Sequence, residues 1–368
     1  MGPAILLDKS AFQKCPKVLL PEMYRHYSLD VPPILVKEIL EDYGETAHKF
    51  FGLARRFDLF EITMNVDYVR LYEHELLGTP VPMEGRPSLV VGRVINSEEG
   101  LIHILKESAE SKALRRWKDG IISESEKKTA ANWYAATENF DMEAVKAHLR
   151  KHSEGLPKFS RDSQRAIREV GLFVDRLLSL PEQQQFLELA LLEFPAEFRQ
   201  RVRDRWTAME RPALKVFTPF VHFCQKVRFV FALALSRDLI SSHHNSVLDL
   251  EYLYYLPFCQ IFCSDDKKLH NVMQSVLLRP DQVFWDYSTF ERALGETQIF
   301  FRDMTPDQMR KWFEKNGHYP PKGPSITRQM YERFWNLPPE LQQNFAKKLP
   351  QEVVNSVIRK IKAARSQM

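Results

Sequence analysis

Glycine is scarce, at 13 residues in a chain of 368. Walker loops and dinucleotide fingerprints both need closely spaced glycines between a strand and a helix, and neither can be assembled here. That argues against an ATPase or a nicotinamide enzyme. A Gly-x-Ser-x-Gly elbow is missing as well, which removes the corresponding serine nucleophile. Cysteine is equally sparse: Cys15, Cys224, Cys259 and Cys263 include no Cys-x-x-Cys, and no close His pair completes a zinc site. They are expected to be small buried hydrophobes in a reducing compartment, with Cys259 and Cys263 on one face of a strand. No long apolar run is uninterrupted. The longest, Phe217 to Leu235, is broken by His222, Lys226 and Arg228, so it reads as a core helix rather than a membrane span. The first apolar run stops at Asp8 and Lys9, too short for a secretory signal. A cytoplasmic protein without a membrane partner is expected.

What is present is ordinary in bulk and specific in placement. Hydrophobic content of 44% and charged content of 27% are those of a globular protein. The length suits about two domains. A formal charge of +4 permits an anionic partner without requiring one. Two short apolar runs end in acid: Pro3 to Leu7 stops at Asp8, and Pro257 to Ser264 stops at Asp265 and Asp266. Such runs suit strands buried on both faces in a parallel sheet. Ligands of open parallel sheets bind beyond the carboxyl ends of the strands. Adjacent acid-tipped strands would therefore build a hard-oxygen site for a divalent cation.

Along the chain, Ser10 is placed to cap a short helix, and Pro33 opens a second that carries Glu38. From about 45 to 245 the apolar spacing is mostly helical. One exception is the plausible strand Pro87 to Ile95; Asn65 to Leu77 stays open between strand and helix. Helices are expected over 227–241 and 247–256. After the breaker cluster His318 to Pro324 come two more.

Four stretches, taken in order, resemble the PIN-like nucleases. Ile5-Leu6-Leu7-Asp8-Lys9-Ser10 looks like their first strand and its acid. Pro32-Pro33-Ile34-Leu35-Val36-Lys37-Glu38 looks like their proline-led helix. Ser246-Val247-Leu248-Asp249 looks like the later helix bearing an Asp, and Cys263-Ser264-Asp265-Asp266 like the strand that ends in Ser and Asp. The resemblance implies an α/β fold with a discontinuous PIN-like parallel-sheet domain, from residues 1–45 and 235–290. Residues 46–234 would be a mainly helical insertion, with a core strand near 88–95, and 291–368 a helical C-terminal region. It implies metal-dependent phosphodiester hydrolysis of RNA, or DNA, with single-stranded RNA as the expected partner. Asp8, Glu38, Asp249 and Asp266 would be catalytic and, with Asp265, hold Mg²⁺ or Mn²⁺; Ser10 and Ser264 would orient carboxylates or water. The alternative is a non-catalytic PIN-like scaffold whose helical insertion docks a protein partner.

Each acid also has a plainer reading. Asp8 could cap the helix after its strand, Glu38 could face solvent, and Asp249 could complete a capping box with Ser246. Asp265 and Asp266 could be an ordinary strand-end turn. Arg237 and His243 loosely match the spacing of the metal-independent HEPN ribonucleases, and Asp67 to Glu75 reads as a charged helix face. Candidate nucleic-acid contacts are Arg115, Arg116 and Lys118 around Trp117, and Lys360 and Lys362 near the C-terminus. Trp117 could equally be the buried anchor of an amphipathic helix whose cations face water.

Overall fold

The computed structural model describes residues 2–58, 62–89, 91–97, 100–105, 108–160, 162–243, 245–316, 319–321 and 323–334. Lys360 and Lys362 lie outside them, as does His244. The chain opens with β1 (Ala4–Leu7), α1 (Lys9–Lys14), α2 (Leu20–His26) and β2 (Ser28–Val31). Next come α3 (Pro33–Glu45), α4 (Ala47–Ala54), β3 (Ile62–Met64) and α5 (Tyr68–Leu76). A hairpin of β4 (Val91–Ser97) and β5 (Gly100–Leu105) follows. The helical stretch comprises α6 (Ala109–Lys118), α7 (Glu124–Glu138), α8 (Met142–His152), α9 (Ser163–Leu177) and α10 (Gln183–Ala190). It continues through α11 (Ala196–Ala208), α12 (Leu214–Phe217) and α13 (Pro219–Ser236). The chain then returns to the sheet through α14 (Ser246–Leu253), β6 (Ile261–Ser264), α15 (His270–Leu277) and β7 (Val283–Asp286). Helices α16 (Tyr287–Arg302), α17 (Pro306–Asn316) and α18 (Ile326–Phe334) complete the described chain.

The fold is α/β. Its five-stranded sheet has the order β3-β2-β1-β6-β7, with every pairing parallel. Strands β1, β2 and β6 are buried along their whole length, as expected of a sheet covered on both faces. The strand order reverses at β1: β2 and β3 extend one way and β6 and β7 the other. The crevice beyond the carboxyl ends of β1 and β6 is therefore the place where such a sheet binds ligands. Asp8 enters it from β1, with its N–H bonded to the Cys263 carbonyl at 3.1 Å, and Ser264 enters from β6.

Several sequence expectations move. The strand near 88–95 is real as β4, but it pairs with β5 in a separate two-stranded sheet. The third strand of the main sheet on that side is β3, whose three residues are too few to show a period. β2 escapes notice because its centre is Asp30, fully buried and bonded by Asn65 Nδ2 at 3.1 Å. The second acid-tipped run is only half strand. Leu256–Phe258 forms a 3₁₀ turn, so Cys259 stands outside β6, although all four cysteines are buried as expected. Within the segment 65–77, residues Tyr68–Leu76 form α5, and the helix expected over 227–241 already ends at Ser236.

The helical stretch does not form a separate core. One contiguous hydrophobic cluster joins Ile5 and Leu6 of the sheet to Val170 and Val174 of α9, Leu187 of α10 and Met330 of α18. Helix α13 is its axis, packing against α5, α8, α9, α14 and α15. The start of α13 is fixed from α5: buried Glu75 accepts the Phe220 N–H at 3.0 Å and the Val221 N–H at 2.8 Å. This satisfies orphan donors of the helix terminus. The stretch Asp67 to Glu75 is thus not simply a charged face, since Asp67 caps α5 and Glu75 caps α13. No described helix is long and apolar enough to cross a membrane.

Candidate functional site

A cleft of about 590 Å³ lies at the reversal point of the sheet. Asp8, Lys9, Ser10, Gln13, Glu38, Ser241, His243, Asn245, Asp249, Asp265, Asp266, Lys267 and Lys268 line it. All five acids and Ser10 of the expected site meet here, from segments more than 200 positions apart in the sequence. The buried Ser264 hydroxyl sits just beneath, bonded to Asp8.

Asp8 does two jobs. It is the N-cap of α1, with Oδ1 accepting from the Ala11 N–H at 2.7 Å and from Ser10 Oγ at 2.8 Å. Ser10, expected as the cap, instead supports the cap. Asp8 Oδ2 accepts from Ser264 Oγ and faces His270 Nδ1 at 3.2 Å. Ser264 Oγ in turn accepts the Asp266 N–H at 2.9 Å, so one hydroxyl ties the two strand-end acids together. Burial alone would raise the pKa of Asp8. Its bonds to His270, Ser264 and Ala11 outweigh that and hold the carboxyl below its ordinary value.

Glu38 and Asp249 go the other way. Glu38 accepts from the Tyr252 hydroxyl and is nearly inaccessible. Burial pushes its carboxyl up to about 8, reinforced by the charges of Asp249 and Asp8 and opposed by Lys9. A solvent-facing helix residue is therefore excluded for Glu38. Asp249 is pushed up to about 6, by burial first and then by repulsion from Asp266 and Asp8, against the pull of His270. No capping box holds Asp249, because Ser246 lies inside α14 and its Oγ bonds the Ser241 carbonyl at 3.2 Å. Asp266 Oδ1 accepts the Lys268 and Leu269 N–H groups at 2.7 and 3.1 Å, the strand-end turn of the plainer reading. Asp265 reaches the rim, where Lys14 pairs with it.

Sequence reasoning did not single out His270. It stands one helical turn past Asp266, fully buried at the start of α15. Nε2 lies 2.8 Å from the Asp249 carbonyl oxygen, which can only accept, so Nε2 carries a proton. Nδ1 lies 2.8 Å from Ser264 Oγ and 3.2 Å from Asp8 Oδ2. The Ser264 proton is already given to Asp8, so Nδ1 must donate too. His270 is then an imidazolium. Burial alone would make it less basic, but the Asp8 bond and the charges of Asp249, Asp8 and Asp266 prevail and push it up to about 9. Asp249, Asp266 and His270 each bring a potential ligand atom within 4.8 Å of the others. A metal ion there would take the two carboxylates as they stand, and His270 only once the imidazolium gives up a proton. Tyr252 and Lys9 were also missed. Lys9 Nζ pairs with Asp42 at 2.9 Å and donates to the Glu38 carbonyl at 3.2 Å.

The remaining candidates fall elsewhere. Arg237 is not among the residues lining the cleft and donates to the Ser153 carbonyl at 3.2 Å, whereas His243 lines it. Trp117 is buried against Phe50, as the anchor reading expects. Arg115 is exposed, and Arg116 is exposed with Glu126 at 2.5 Å. Lys118 is different. It donates to the Phe57 carbonyl at 2.6 Å and lines a second groove, of about 740 Å³, with Lys17, Arg25, Arg55, Arg56, Tyr24 and Phe313.

No family model, curated protein or solved structure matches the chain. The functional reading therefore rests on this geometry.

Proposed function

We propose that the chain is a metal-dependent nuclease with a PIN-like carboxylate site, cleaving phosphodiester bonds in RNA. One observation carries the reading: Asp8, Glu38, Asp249 and Asp266 arrive from separate elements and line one cleft at the reversal point of a parallel sheet. The donor set fits a hard divalent cation, because it is rich in carboxylate oxygen and crowded enough to push Glu38 and Asp249 up. Asp249 and Asp266, with Asp8 and Glu38 beside them, would hold Mg²⁺ or Mn²⁺. Bound there, such an ion supplies an activated water and neutralises charge on the attacking and leaving oxygens. The chain's own residues set the frame. Ser264 fixes the spacing of Asp8 and Asp266, Ser10 and Ala11 orient the Asp8 carboxylate, and Tyr252 orients Glu38. Lys267, Lys268 and His243 at the lining are placed to meet substrate phosphate.

The test is cleavage of single-stranded RNA with and without Mn²⁺. Asp8→Asn keeps the α1 cap and removes the charge, so activity should fall by on the order of 10²-fold or more, the scale of losing one catalytic group. Equal activity in the two proteins would reject the assignment. A scaffold without chemistry would show no Mn²⁺-dependent cleavage in either.

A further inference from the structure

A second cavity, of about 320 Å³, lies away from the acidic cleft among α5, α10 and α13. We propose that it is a binding site for a small planar ligand carrying one anionic group and one N–H donor, the chemistry of a nucleoside monophosphate. The inference does not depend on the nuclease reading.

The walls supply the planar part. Tyr68, Tyr72, Phe194 and Phe229 line the cavity, with Leu189 and Leu192 exposed at its margin. Aromatic faces accept any nucleobase by stacking. The anion has a receptor in Arg228. Its guanidinium carbon lies 5.7 Å from the Tyr72 ring centroid and 5.9 Å from that of Tyr254, and Nε donates to the Tyr254 hydroxyl at 3.3 Å. Among the described residues no carboxylate pairs with it, and its terminal nitrogens have no acceptor. A half-buried fork held between two rings with its terminal donors unspent is set for a bidentate carboxylate or phosphate.

The N–H donor has a receptor in Gln225. This side chain is 2% exposed, and its Nε2 donates to the Phe186 carbonyl at 2.7 Å, which fixes the amide. Gln225 lines the cavity, and its buried Oε1 has no hydrogen-bond partner. A buried acceptor left open is unfavourable, and an exocyclic amine of a base would relieve it. Glu193, exposed at the rim, opposes a longer polyphosphate. The volume lies at the small end of ligand sites, roughly 300–1,000 Å³.

Isothermal titration in EDTA, which removes divalent ions from the acidic cleft, tests the site with AMP, CMP, GMP, UMP, ADP, inorganic phosphate and indole-3-carboxylate. At least one monophosphate should bind at a single site, and more tightly than ADP or inorganic phosphate. Arg228→Gln should weaken it tenfold or more. Because Arg228 also packs between rings, Ala232→Phe is the second variant: it fills the cavity from α13 and should abolish binding while the melting temperature is kept. Saturable binding of indole-3-carboxylate alone, lost in both variants, would support the ring-and-anion chemistry with an aryl carboxylate as its source. Absence of binding by every probe, or binding unchanged in both variants, overturns the proposal.

Discussion

His270 and Glu38 carry opposite parts of one electrostatic arrangement. The imidazolium compensates Asp8, Asp249 and Asp266, while Glu38 keeps its proton to near pH 8 because burial and the charges of Asp249 and Asp8 outweigh the pull of Lys9. Both groups hold protons in the folded protein that the unfolded chain releases earlier. For Glu38 the window runs from its ordinary 4.5 to about 8, and for His270 from 6.5 to about 9. Native protein binds more protons throughout these windows, so its stability falls as pH rises across them. Asp8, held low, acts in the opposite sense and only at acid pH. The expected result is a metal-free melting temperature that declines from pH 5 to pH 9. Asp249, raised to about 6, and Glu75, raised to about 7, act in the same sense as Glu38 at lower pH. Glu38→Gln removes one of these contributions, so thermal melts in EDTA should show the variant gaining on wild type at pH 8 and not at pH 5. Parallel curves for the two proteins would mean that Glu38 is not a protonated buried acid.

At the level of elements, what the sequence revealed follows from how local each signal is. Asp8 and Asp266 were legible because each ends an apolar run, and Glu38 because it follows a proline-led helix start. His270 was not, since its meaning lies in bonds to Asp8 and Asp249 across 262 and 21 positions. β3 has no period to read, and β2 hides behind Asp30. The packing of α15 was equally silent. α15 carries His270 and rests on α9, where a Cβ placed on Gly171 would come within 2.9 Å of Val276 Cβ and Cγ1. Gly171→Ala gains about 1 kcal/mol of helix propensity but overpacks this crossing, at a cost of about 1–3 kcal/mol. Lowered stability in urea is expected for the single variant. Adding Val276→Ala should restore part of it, because the clash goes and the propensity gain stays. A single variant more stable than wild type would show that the two helices are not in close contact.

Across the whole molecule, charge is distributed so that the acidic cleft does not stand alone. The net charge is only +4, yet Lys17, Arg25, Arg55, Arg56 and Lys118 share one groove with a single acid, Asp58. Helix α1 links the two regions: Asp8 caps its start in the cleft, Lys14 at its end pairs with Asp265, and Lys17 follows just beyond. Six residues of helix span about 9 Å, a short step for a polymer chain. Arg56 and Lys118 already donate to main-chain carbonyls and Arg25 pairs with Glu22. Lys17 and Arg55 are exposed and make no ion pair among the described residues. On the nuclease reading they are the side chains free to neutralise substrate phosphates. Lys17→Ala with Arg55→Ala should therefore raise KM for single-stranded RNA with little change in kcat. The same pair should flatten the plot of log affinity against log salt by roughly 0.7 per side chain removed. Arg116→Ala, which loses a cation already paired with Glu126, serves as the control and should leave the slope unchanged. If the double variant and the control give the same slope as wild type, the strand does not run along α1, and the cleft must be approached from the Lys267 and Lys268 side instead.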